Sequence, residues 1–352
     1  MSPIRVALVG YGMAGSVFHA PLIAATPGLE LASIVTGNPG RQRQAKRDHP
    51  AARVLATAEQ LWSAASEHDL VVIAAPNRAH VSLGLAAVQA RLPLVVDKPL
   101  APTAREGRRL LTAARRHGLM LTVFHNRRWD GDLRTVQGLL QSGALGPVQR
   151  FESRYERWRP APRPGAWREA GNPAEAGGLL FDLGSHLIDQ ALLLFGRPST
   201  VYAELDRRRP GALVDDDGFV ALGHRSGVRS HLWTSAVAAQ PGPRMRVLGL
   251  KAAYVKHGMD VQEDALRAGA PPVGRAWGLE PAEAWGQLGA GDRLRRVRTR
   301  PGDYRLFYKG VVEALMKGSP PPVDPLDAIA VLEVIEAAQR SARTGSIVRL
   351  PA

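Results

Sequence analysis

Ile4-Arg5-Val6-Ala7-Leu8-Val9-Gly10-Tyr11-Gly12-Met13-Ala14-Gly15 is a short β-branched run that breaks into G-x-G-x-x-G and continues as a helix-like segment. The pattern reads as a dinucleotide site. Gly10 allows the tight turn out of the strand, Gly12 lets the backbone approach a pyrophosphate, and Gly15 lets the next helix pack close to the sheet. The phosphates are expected at that helix's positive N-terminal end, on the backbone of residues 10–15, including Tyr11, Met13 and Ala14. Glycines also mark ordinary turns, so context decides. Val17 to Ala25 carries a helix until Pro27-Gly28 stops it, and a second strand, Leu29 to Val35, completes a βαβ unit.

Downstream of that strand stands Thr36-Gly37-Asn38-Pro39-Gly40-Arg41-Gln42-Arg43. A NAD site places an Asp or Glu near here for the ribose 2′-hydroxyl, and none is present. A hydroxyl and an amide followed by Arg41 and Arg43 suit a 2′-phosphate, because guanidinium pairs with phosphate oxygens. NADP is therefore expected, with NAD as the alternative if both arginines simply face water. Thr36, Gly37, Asn38 and Arg41 are the candidate contacts.

Leu70 to Ala75 is a continuous apolar run, as expected of a strand buried on both faces of a parallel sheet. Ligands collect at the carboxyl ends of such strands, which makes Ala75, Pro76, Asn77 and His80 candidate cofactor contacts, although Asn77 and His80 could equally serve helix capping. A helix from Ala79 to Arg91 leads to strand Leu94-Val95-Val96, which ends in Asp97-Lys98-Pro99. A lysine at the ligand end of a buried strand is unusual. Helix Thr103 to His117 and strand Met120 to Phe124 complete an alternating β/α domain, residues 1–124.

The composition then changes. His125-Asn126-Arg127-Arg128-Trp129-Asp130 crowds donors and an aromatic at the expected domain junction, and His125, Asn126 and Arg127 are candidate substrate contacts. A helix over Asp132 to Ser142 and a strand over Val148 to Arg157 run into a proline-rich loop containing Trp158 and Trp167-Arg168. Those tryptophans could stack on a sugar or could be core. In the helix that follows Gly177-Gly178, Asp182, His186 and Asp189 fall at i, i+4 and i+7 and share a face. That face can orient an imidazole or be a solvated stripe. Asp-x-x-x-His offers two metal ligands with no third partner nearby, so no metal is expected. Short β-like runs from Val201 to Lys256 predict a mostly antiparallel sheet. Gln262 to Gly302 reads as surface loop, and Tyr304 to Met316 and Leu326 to Ala342 as amphipathic helices closing the second domain, 125–352.

The 352 residues fit two domains. With 45% hydrophobic residues and a mean hydropathy of −0.14 the chain is of ordinary globular composition. No signal-peptide pattern and no membrane-length apolar run is read, so a cytoplasmic location is expected. The absence of cysteine excludes disulfides and thiolate chemistry. A net charge of +14 invites a nucleic-acid reading, but the arginines are scattered in twos and threes and no nucleic-acid motif appears. The excess suits attraction of an anionic cofactor or a solvated surface.

The ordered set Gly10-x-Gly12-x-x-Gly15, Asp97-Lys98-Pro99 and Asp182-x-x-x-His186 resembles the glucose-fructose oxidoreductase and inositol dehydrogenase family (Gfo/Idh/MocA) over essentially the whole chain. Residues 125–130, 181–190 and Gly258-Met259-Asp260-Val261-Gln262-Glu263 look like its NADP-dependent scyllo-inositol dehydrogenase branch. The family usually carries Glu where Asp97 stands. The resemblance implies a Rossmann domain with a doubly wound parallel sheet, then an α+β domain with a large, mostly antiparallel open sheet. It implies a homodimer or homotetramer through that sheet's open face, and no nucleic-acid or membrane partner. By position, Lys98 would hold the substrate hydroxyl and lower its pKa, His186 would move the proton, and Asp182 would fix the lysine, the imidazole or the substrate. Asp97 and Lys98 would also line the cofactor, and the bond before Pro99 would be cis. The implied activity is oxidation of a secondary hydroxyl of an inositol, polyol or sugar, or the reverse reduction. The same fold also serves as a dinucleotide-binding regulator and as NAD-dependent glycosidases, which are the alternatives.

Overall fold

The computed structural model describes residues 2–162, 169 and 171–351. It divides into two compact units: Met1–Asn126 with Gln262–Trp277 and Asp303–Ile329, and Arg127–Val261 with Gly278–Gly302 and Ala330–Ala352. Two later pieces that the linear division at residue 124 assigns to the second domain thus belong to the first unit.

In the first unit, chain order runs β1 (Ile4–Val9), α1 (Ala20–Ala24), β2 (Leu29–Val35), α2 (Pro39–Asp48), β3 (Arg53–Leu55), α3 (Ala58–Ser63), β4 (Leu70–Ile73), α4 (His80–Gln89), β5 (Leu94–Val96), α5 (Ala104–Arg116) and β6 (Leu121–Val123). The strands pair in parallel in the order β3-β2-β1-β4-β5-β6. Every residue of β4 and β5 is buried, which an apolar strand achieves only with cover on both faces. Helix α5 shows how the cover is made. Thr103 caps it by accepting the Glu106 N–H, and Ala104, Gly107, Leu110, Leu111 and Ala114 face inward. Arg108, Arg109, Arg115 and Arg116 face water, so these arginine pairs are a solvated helix face. Strand order reverses between β1 and β4, the position at which doubly wound sheets bind ligands.

The second unit holds α6 (Gly131–Gln141), β7 (Val148–Glu156), α7 (Ser185–Phe195), β8 (Pro198–Asp206), β9 (Asp217–His224), β10 (Arg229–Ser235), β11 (Met245–Gly249) and β12 (Ala253–Lys256). After α8 (Gln262–Arg267), the chain adds β13 (Gly286–Ala290), β14 (Arg293–Val297), α9 (Arg305–Lys317), α10 (Pro325–Thr344) and β15 (Val348–Arg349). The nine-stranded sheet runs β14-β13-β12-β11-β7-β10-β9-β8-β15, antiparallel except for the β7–β10 pair. Strand alternation puts Phe151, Ser153 and Tyr155 of β7 on one face and Arg150, Glu152 and Arg154 on the other.

Three expectations are corrected. Residues 262–302 are not simply surface loop: they contain α8 and the β13–β14 hairpin, whose glycines and arginines hide the strand pattern. Helix α9 belongs to the first unit, where Phe307 meets Phe124 at 4.9 Å between ring centres. The helix expected from Val17 begins as a wide turn over Ala14–His19, with the Ala20 N–H reaching back to the Gly15 carbonyl, and is α-helical only over Ala20–Ala24.

Candidate active site

The glycines of the first β–α turn separate by role. Gly10 has φ +103°, and a Cβ there would lie 2.4 Å from the Ala74 carbonyl oxygen at the end of β4. At Gly15 a Cβ would lie 2.0 Å from the Gly10 carbonyl oxygen. Both are demanded by packing. Gly12 differs: the Arg41 guanidinium, 3.7 Å away at Nη1, is all that a Cβ would meet. Bare backbone with an exposed arginine above it fits a diphosphate and an added phosphate.

Other predicted contacts are engaged within the protein. The Tyr11 ring is buried and its hydroxyl donates to Asp48 at 3.0 Å, leaving only its backbone to face a ligand. Asn38 caps α2 by accepting the Arg41 N–H at 3.0 Å, and Thr36 is buried with its carbonyl accepting from Gln42. His80 is a correction. It is fully buried, with its ring nitrogens 2.8 Å from the Pro99 carbonyl and 2.9 Å from the Ala75 carbonyl. No ring nitrogen is left for a dinucleotide; the side chain ties the end of β4 to the segment after β5. Asn77, His125 and Asn126 are buried, Ala75 is half-buried and Pro76 is exposed.

Lys98 follows β5 and is half-buried, and its bond to Pro99 is cis, as the resemblance implies. Its backbone N–H donates to Asp97 Oδ1 at 2.8 Å. Burial alone would raise the Asp97 pKa, but His19, Lys98 and His80 outweigh it and hold the carboxyl below its ordinary value. Behind Asp97 stands a buried pair that the sequence reading missed. His19 Nε2 lies 3.9 Å from Asp97, and its Nδ1 is 2.6 Å from the Tyr308 hydroxyl. A histidine amid the apolar residues after the glycines was the available signal.

In the second unit the segment bearing Asp182 and His186 starts at Gly178, φ +93°, where a Cβ would strike Asp215. Asp215 accepts the Leu180 N–H at 2.7 Å and so caps a wide turn over Leu180–Gly184 that becomes α7. Burial lifts the Asp215 pKa to about 6. Asp182 is half-buried and His186 is 5% exposed. The imidazole meets the Tyr155 ring edge-on, 6.3 Å between centres. Burial raises the Tyr155 pKa, with Arg127 and Arg244 opposing. Arg127 donates to Asp130 at 3.4 Å and lies 5.0 Å from the Tyr155 ring centre.

Asp189 is committed to a distant cation: both its oxygens accept from Arg128, at 2.6 and 2.9 Å, with Asp189 buried and Arg128 half-buried. Asp260 of the 258–263 stretch accepts the Gly131 N–H at 2.8 Å and caps α6. Trp158 is 57% exposed, its backbone bridged to Val237. Trp167 and Arg168 lie outside the described residues. Among the described residues no His, Cys, Asp and Glu group is arranged to hold a metal ion, and no helix is long and apolar enough to cross a membrane.

Residues 4–125 match the oxidoreductase family's NAD-binding Rossmann fold and residues 137–350 its C-terminal alpha/beta domain. The chain belongs to the Gfo/Idh/MocA oxidoreductase family. Among its Gfo/Idh/MocA relatives, scyllo-inositol 2-dehydrogenase (NADP(+)) IolW of Bacillus subtilis is 35% identical over 97% of this chain and 94% of its own. Oxidoreductase YdgJ of Escherichia coli is 40% identical over 97% and 96%. The solved structure of Bacillus subtilis yvaA superposes with a TM-score of 0.94 at 34% identity, covering 99% of both chains.

Proposed function

We propose that this oxidoreductase moves a hydride between NADP and a secondary carbinol carbon of an inositol, another polyol or a sugar. The observation that carries the reading is the near full-length likeness to a scyllo-inositol dehydrogenase that uses NADP, in a chain that carries Lys98, Asp182 and His186. The cofactor choice is supported by Arg41 above Gly12 and by the absence of an acidic residue in Thr36 to Arg43.

Bound NADP supplies the hydride acceptor, or the donor in reduction. The Lys98 ammonium holds the substrate hydroxyl and stabilises negative charge developing on its oxygen. The His186 imidazole takes the hydroxyl proton as the carbinol carbon loses its hydride, and returns it in the reverse direction. Asp182 fixes the imidazole or the substrate.

The test is absorbance at the reduced-nicotinamide band with NADP and NAD in parallel over inositols and sugars. Signal with NADP and an inositol or sugar is expected. Demonstrable cofactor binding with silence across the panel would overturn the reading in favour of a regulator.

A further inference from the structure

Arg244 stands immediately before β11 and is 3% exposed. A buried guanidinium needs acceptors for its donors, and those it finds surround α7. It donates to Ser153 Oγ, to the Tyr155 hydroxyl at 2.8 Å and to Gln190 Oε1 at 2.9 Å. Its Nε faces Asp132 Oδ2 of α6 at 3.3 Å, which balances the charge. Ser153, Gln190 and Asp132 are fully buried. The guanidinium carbon also lies 4.1 Å from the centre of the Tyr155 ring, the ring that meets His186 edge-on. Gln190 sits one turn beyond His186 on α7, and its amide nitrogen donates to the Arg127 carbonyl at 3.2 Å. One cation therefore grips both the ring beside the imidazole and the helix that carries it.

We propose that Arg244 is a positioning residue for His186; this rests on the reading of His186 as the proton carrier. Lysine cannot substitute, because an ammonium keeps the charge opposite Asp132 but lacks the planar fork that spans Ser153, Tyr155 and Gln190. Imidazole placement loosened by about 1 Å lowers turnover up to about 100-fold.

The test uses the full chain with Arg244→Lys, Tyr155→Phe and Gln190→Met. In Arg244→Lys, kcat is expected to fall about 10- to 100-fold, with KM for the polyol changed less than about threefold and NADPH binding intact. A second readout does not need turnover. The His186 ring resonance, identified in histidine-labelled protein by its loss in His186→Asn, is expected to be single in the parent and to move or split in Arg244→Lys and Tyr155→Phe. Should Arg244→Lys fail to fold, Tyr155→Phe and Gln190→Met, each removing one acceptor, carry both readouts. Folded variants with parental kcat, or with lowered kcat and an unmoved His186 resonance, overturn the proposal. A resonance that moves in a protein inactive toward every polyol and sugar upholds the positioning and refutes the reaction.

Discussion

Replacing Gly12 and Gly15 by alanine, one at a time, separates ligand approach from folding. At Gly15 the new methyl would sit 2.0 Å from the Gly10 carbonyl oxygen, and neither backbone atom can yield without moving the strand end or the helix start. Overpacking of this kind costs about 1–3 kcal/mol or more. At Gly12 the nearest atom is the flexible end of Arg41 at 3.7 Å, an ordinary contact, so stability should stay within about 0.5 kcal/mol of the parent. The Gly12 methyl instead occupies the space where a diphosphate would meet the backbone. Losing one charge-assisted N–H bond there removes about 1.5–3 kcal/mol, which weakens binding about 10- to 150-fold. Denaturant midpoints report the first effect and NADPH fluorescence titration the second. Parental NADPH affinity in Gly12→Ala, or equal destabilisation by both substitutions, would refute the assignment of Gly12 to the cofactor.

Further outcomes follow from the same geometry. Arg41→Ala should weaken NADP binding about tenfold, the low end for an exposed charged contact, while NAD binding changes less than about threefold; paired titrations read the ratio. Lys256→Met leaves Glu280, 3.3 Å away and equally buried, without its cation. It should destabilise by about 3–5 kcal/mol at neutral pH, with stability recovered in Lys256→Met/Glu280→Gln, read by denaturant unfolding. Asp215, whose carboxyl titrates near 6 in the folded chain against 3.8 when free, keeps its proton in the fold where the unfolded chain has lost it. Stability should therefore fall as pH rises through that window, a slope that Asp215→Asn removes; unfolding curves between pH 4 and 6 at roughly half-unit steps decide it.

Much of the first unit is legible because its signals are local. The apolar runs of β4 and β5 and the glycine turn specify parallel strands and a ligand end before any tertiary contact exists. Asp182 and His186 are legible by their spacing. The failures come from long-range commitments that a sequence does not display. Asp189 shares the spacing of the His186 face, but the sequence does not show that Arg128, from a distant stretch, donates to both its oxygens. His80 looks like a ligand contact until two backbone carbonyls occupy its ring. Arg244 shows no periodicity or motif, because its importance comes from acceptors on elements far apart in the chain. The β13–β14 hairpin is hidden because β14 is an exposed edge strand that tolerates arginine in place of alternating apolar residues, while β13, an interior strand, carries two glycines.

The most direct test of the central claim is the fate of deuterium placed on the carbinol carbon of an inositol that the protein oxidises in the presence of NADP. Direct hydride transfer predicts that the label appears on the nicotinamide ring of the NADPH formed, in a one-to-one ratio with the keto product. Label released to water, or product formed with no reduced nicotinamide in solution, would contradict the account.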